Sequence, residues 1–116
     1  MSRVVVTSTA RLAAIKADIV EHIGREDLTL HSVAARQRLG PRSIQRLFEG
    51  EGTTFAAFKL EQQLDLARHM LRDRRHADWT IAAVALAAGF RDVSYFHRAF
   101  RRRFGVTPAD VRAAST

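Results

Sequence analysis

The chain of 116 residues contains no cysteine, which removes disulfides, thiolate chemistry and zinc-finger sites together and fits a reducing interior. Only two prolines interrupt it, so long helices are possible and a fold of short, proline-punctuated strands is disfavoured. No apolar run approaches the roughly 20 residues that a membrane-spanning helix needs, and no cleavable signal pattern opens the chain. The stretch Val4-Val5-Val6 is too short to span anything. These absences point to a soluble, cytoplasmic protein that makes no membrane contact. Catalytic signatures are missing as well: there is no GxSxG, no HExxH, no dinucleotide fingerprint and no pair of carboxylates at convergent apolar positions. Asp65, Asp73, Asp78 and Asp110 fall where helix ends, caps or salt bridges account for them. The histidines His22, His31, His69, His76 and His97 form no chelating pair at i, i+4 with a carboxylate partner, so neither a metal nor a cofactor is expected. Nor is an enzyme.

What is present begins with a hydrophobic content of 47%, enough for a core in a chain of this size. Nineteen basic against 12 acidic side chains leave a formal charge of +7, and the isoelectric point lies near 11.4. A surplus of that size on a small domain implies an anionic partner, nucleic acid first. Arginine enrichment without a binding role is the alternative, and placement must decide between them.

In chain order, residues 1–9 read as a linker or arm. From Arg11 to Ile23, Leu12, Ile15, Ile19, Val20 and Ile23 recur at helical spacing, with Lys16, Asp18 and Glu21 on other faces and Gly24 as the stop. Thr29 caps a helix through Val33, Ala34 and Ala35 toward Leu39. Gly40-Pro41 breaks it and starts another, Pro41 to Glu49, which points Ile44, Leu47 and Phe48 inward and Arg42, Gln45, Arg46 and Glu49 outward. The glycines of Gly50-Glu51-Gly52 form a turn. Thr54 then caps the longest pattern, Phe55 to Arg72, about 27 Å at 1.5 Å per residue. A polar connector, residues 73–79, carries Trp79, expected to pack beneath the next helix. That helix is alanine-rich, opens at Thr80 and halts at Gly89; a basic helix restarts at Asp92, and Thr107-Pro108 opens a last short one.

The chain also resembles itself. Val33-Ala34 recurs as Val84-Ala85, Phe48 as Phe100 and Thr54 as Thr107, with the offset growing by one from each pair to the next. The matched words are IQRLF and FHRAF, followed by GTTF and GVTP. Two copies of one helix-turn-helix unit joined by the long helix explain this better than a solenoid, which needs at least three repeats. The expectation is an all-α, seven-helix fold, with residues 10–72 holding the first unit and the connecting helix and residues 73–116 the second.

TIAAVALAAGF followed by SYFHRAFRRRFGVTP is similar to the second helix-turn-helix and closing signature of the AraC/XylS family of bacterial transcription regulators, and SVAARQRLGPRSIQRLFEGEGTTF looks like the first. The resemblance implies a domain that binds double-stranded DNA with two recognition helices in successive major grooves, usually fused to a separate sensing and dimerisation domain. The chain is expected to be either a stand-alone regulator or the C-terminal part of a longer one whose sensor lies in an N-terminal part. RNA polymerase is a further candidate partner. A helical module that docks on RNA polymerase or on a dimer partner is the alternative from another class. Two positions depart from the pattern: Arg38 stands where a glycine is usual, which asks a side chain with a Cβ to adopt positive φ, and Gly40 stands where a hydroxyl cap is usual. Val93 either contacts a thymine methyl or fills space.

On this reading Arg42, Ser43, Gln45 and Arg46 in the first recognition helix and Ser94, His97 and Arg98 in the second read bases. Arginine can grip guanine O6 and N7, and glutamine can pair with adenine N6 and N7. Arg98 has a second option, bracing its own helix end. Arg36, Arg91, Arg101 and Arg102 suit phosphates, which fix register and supply salt-dependent affinity without reading sequence. Arg103 is expected to be a solvated charge.

Overall fold

The computed structural model of the protein describes residues 7–115. Among these residues there are seven α-helices, one turn of 3-10 helix at Arg74–His76 and no strand. The helices are α1 (Ser8–Glu21), α2 (Leu30–Gln37), α3 (Pro41–Glu49), α4 (Phe55–Arg72), α5 (Ile81–Ala87), α6 (Val93–Phe104) and α7 (Pro108–Ala114).

Their starts follow from side-chain chemistry. Thr7, Thr29, Thr54, Thr80, Asp92 and Thr107 each accept a hydrogen bond from the backbone N–H three residues on, at 3.0–3.1 Å, which satisfies a donor that the helix itself leaves unpaired. At Thr29 and Thr107 the exchange is reciprocal, through Ser32 and Asp110. Helix α3 is the exception: Gly40 offers no side chain, and Pro41 at the first position supplies the helical φ instead. Of the expected arm at 1–9, residues 1–6 lie outside the described residues, and Ser8 and Thr9 are already helical because Thr7 caps α1.

Packing divides the described residues into two compact units, 7–22 with 26–59, and 23–25 with 60–115. The boundary lies inside α4, whereas the sequence pattern put it at 72/73, where that helix ends. The side chains explain the difference. Near the start of α4, Phe55 and Phe58 contact the ring of Phe48 with centroids 6.2 and 5.7 Å away. From Leu60 onward, the apolar side of α4 packs among Val84, Ala85, Phe96 and Phe100. Residues 23–25 join the second unit at Gly24, whose φ is +87° and where a Cβ would come within 2.5 Å of the Ala87 carbonyl oxygen.

The first unit buries Leu12, Ile15, Ile19, Leu28, Val33, Ile44 and Phe48. Lys59 donates to the Leu28 carbonyl at 2.7 Å, and burial lowers its pKa below the ordinary lysine value. Two assignments on α1 change. Asp18, expected on an outer face, is 7% exposed, while Val20, expected inside, is 49% exposed. The helix turns a carboxylate inward because a partner waits there, as described below. In the second unit, Trp79 does not tuck beneath α5: it is 41% exposed and meets the edge of His76 at 4.9 Å.

Candidate nucleic-acid interface

Each unit holds two helices around a tight turn, and the turns are built alike. In the first, the N–H of Leu39 donates to Ala34 O at 3.0 Å and that of Arg38 to Ala35 O at 3.3 Å. In the second, the N–H of Phe90 donates to Ala85 O at 2.9 Å and that of Gly89 to Leu86 O at 3.0 Å. Both are Schellman closures, which require a left-handed residue after the helix. Gly89 supplies it at φ +100°, and its carbonyl accepts from the Gln63 amide at 3.3 Å. Arg38 supplies it at φ 55°, ψ 42°, so the side chain with a Cβ does adopt the conformation that the sequence demanded of it.

After each turn comes a helix anchored by one apolar edge. In α3, Ile44 and Phe48 are fully buried, and in α6, Phe96 and Phe100 are. Both pairs are four residues apart and sit at the same register in the repeat. The anchors fix what faces outward: Arg42, Ser43, Gln45, Arg46 and Glu49 on α3, and Ser94, Tyr95, His97, Arg98, Arg101 and Arg102 on α6 are all exposed. Every residue expected to read bases therefore lies on the outer face of its helix. Gln45 and Arg46 occupy the positions that His97 and Arg98 occupy in the second unit, and Arg42 that of Ser94. Neither helix has an acidic residue in its first turn, which leaves the positive end of the helix dipole of α3, with its glycine cap, open to an anion.

Arg36, Arg91, Arg101, Arg102 and Arg103 are all exposed, but Arg36 and Arg103 hold carboxylates. Arg36 is not available in the way the sequence suggested, since its guanidinium forks onto Asp18, with Nη2 at 2.6 Å and Nε at 2.9 Å from Oδ1. Gln37 adds a third donor at 2.9 Å, and His22 Nδ1 lies 3.3 Å from the same carboxylate. Burial of Asp18 opposes its ionisation, but the hydrogen bonds from Arg36 and Gln37 and the charges of Arg36 and His22 outweigh it and hold the carboxyl below the ordinary aspartate value. Arg36 thus ties α1 to the last turn of α2. Arg103 is likewise engaged, bonding Asp65 at 3.0 Å with its guanidinium 5.4 Å from the Phe104 ring centroid. Asp73 and Asp110 serve as caps. Tyr95, to which the sequence pattern assigns no role, is 43% exposed on the outer face of α6.

Among the described residues no group of three or more His, Cys, Asp or Glu side chains could hold a metal ion, and no helix is long and apolar enough to cross a membrane.

Residues 33–114 match the helix-turn-helix domain family, and the chain superposes with a TM-score of 0.83 on a transcriptional regulator of Chromobacterium violaceum described as AraC-type, at 27% identity over 94% of this chain and 95% of that one. The chain belongs to the AraC-type helix-turn-helix family. This AraC-type domain is also similar to the DNA-binding domain of AdpA, a global transcriptional factor solved in complex with a target DNA, with a TM-score of 0.73 and 28% identity over 90% of this chain and 91% of that one. Among curated proteins it is 38% identical over 102 residues to the transcriptional activator RhrA of Rhizobium meliloti, covering 88% of this chain and 32% of the relative. It is 37% identical over 104 residues to the transcriptional activator NphR of a Rhodococcus species, covering 90% of this chain and 30% of the relative. The AraC-type chain spans about a third of the length of these relatives.

Proposed function

We propose that this AraC-type domain binds double-stranded DNA sequence-specifically, with α3 and α6 entering successive major grooves about 34 Å apart along the duplex. The observation that carries the reading is the matched outer face of the two helices: in each, a pair of buried side chains four residues apart turns hydrogen-bonding and cationic groups outward directly after a Schellman turn. Arg42, Ser43, Gln45 and Arg46 contact base edges in one groove, and Ser94, His97 and Arg98 in the next. Arg91, Arg101 and Arg102 neutralise phosphates. Arg36 is left out of that set, since its guanidinium serves the fold. No step of this function calls for a catalytic group or cofactor.

Within the whole protein, the domain directs a transcription regulator to its promoter in the cytoplasm, where bound copies associate with the nucleoid. A sensing domain in a longer chain and RNA polymerase are the partners this role implies.

Paired substitutions test the assignment. Arg46→Ala removes a base contact, so it relaxes preference at one base position while other positions keep theirs; Arg102→Ala weakens binding to all sequences alike and lowers the salt slope by about one. Equal weakening of all sequences by Arg46→Ala would reassign that residue to phosphate. Absent or salt-insensitive duplex binding by the unsubstituted chain would favour a protein-interaction module instead.

A further inference from the structure

One charged group on the outer face of α3 has no part in this account. Glu49 is exposed and shares its face with Arg42, Gln45 and Arg46, seven, four and three residues earlier. Among the described residues it has no ion-pair partner, whereas Glu51, two residues on, is held by Lys16 at 2.7 Å. Its position does not help the fold either: it is the last residue of α3, where a negative charge opposes the helix dipole. At the matching register of α6 stands Arg101, the opposite charge. Glu49 and Gln45 together line a shallow groove with Leu30, Thr54, Phe55 and Ala56, so the carboxylate stands beside a base-reading amide and an apolar wall.

A carboxylate on a DNA-facing surface is repelled by phosphates and accepts hydrogen bonds only. In the major groove guanine presents acceptors alone, thymine an acceptor and a methyl group, adenine an amino donor beside the N7 acceptor that repels a carboxylate, and cytosine a lone amino donor. Resting on the DNA-binding reading above, we propose that Glu49 is a specificity-determining residue, which accepts a hydrogen bond from the exocyclic amino group of a cytosine at the edge of the site read by α3. Its charge lowers affinity for every sequence that lacks that amino group there, so it contributes discrimination where Arg101 contributes attraction.

Selection of bound duplexes from a random pool, run side by side with the unsubstituted chain, Glu49→Ala and Glu49→Gln, tests this. The unsubstituted chain should prefer cytosine at one position by about tenfold. Glu49→Ala should flatten that position alone, and Glu49→Gln should turn it toward adenine, whose N6 and N7 match an amide. Thermal unfolding should be unchanged or slightly raised in both variants, because the side chain is exposed and unpaired. If both variants bind all sequences more tightly with the same base preferences, Glu49 only repels phosphate and the proposal is overturned. If the unsubstituted chain itself selects no sequence, the DNA-binding reading fails, and this proposal with it.

Discussion

Asp18 lies on a face of α1 that the sequence pattern gives to solvent, yet it is the buried acceptor for Arg36 and Gln37. Periodicity could not find it, since apolar spacing marks where hydrocarbon goes and is silent about a carboxylate whose partner lies eighteen residues away. An amide in place of the carboxylate keeps one acceptor oxygen but loses the charge and turns an N–H2 toward groups that only donate. Asp18→Asn should therefore lower unfolding free energy by about 2 kcal/mol near neutral pH, less than a fully buried pair would lose because Arg36 still reaches water. The pH dependence has a definite sign. The folded-state pKa of Asp18 is depressed, so its contribution is complete above its unfolded value of about 4 and fades as pH falls toward the lower folded value. Denaturant titrations from about pH 2 to 7 should show the gap between the two proteins closing on the acid side. A gap independent of pH would mean that shape, not charge, is at stake. Arg36→Ala should likewise destabilise the fold but leave the salt slope of DNA binding unchanged, as measured by titration at several salt concentrations.

The helices themselves were largely legible. Pro41–Glu49 and Phe55–Arg72 are the α3 and α4 of the structure residue for residue, because their ends are written in short-range chemistry: a proline at the first position, a threonine cap, glycines in the intervening turn. The end of α1 and the place of Trp79 were not, since both depend on what packs against them. The two turns make a matched test of backbone strain. Arg38 occupies the left-handed region, so Arg38→Gly should raise stability by about 0.5–1 kcal/mol. Gly89→Ala should cost about 2 kcal/mol or more, because φ is +100° and the new Cβ would lie 2.6 Å from the Gln63 amide nitrogen. Thermal unfolding of the two variants should move in opposite directions. A loss of stability in Arg38→Gly would show that the arginine side chain contributes more than its backbone strain costs.

For the chain as a whole, charge and repeat carried the functional reading in the sequence. A formal +7 is compatible with many anionic partners, and what narrows it is that Ile44 with Phe48, and Phe96 with Phe100, anchor two helices in the same way, so that their polar faces are equivalent in register. The division inside α4 was not legible, since a continuous helix gives no sign of which residues along it pack with which core. Sequence also could not separate Arg36 and Arg103, spent on Asp18 and Asp65, from Arg101 and Arg102. The central claim is that one chain reads two stretches of DNA. Sequencing the duplexes that it selects from a random pool tests this most directly: two blocks of base preference should emerge, unlike each other and centred about one helical turn apart, roughly 10 base pairs. A single block, a palindrome or no preference at all would contradict it.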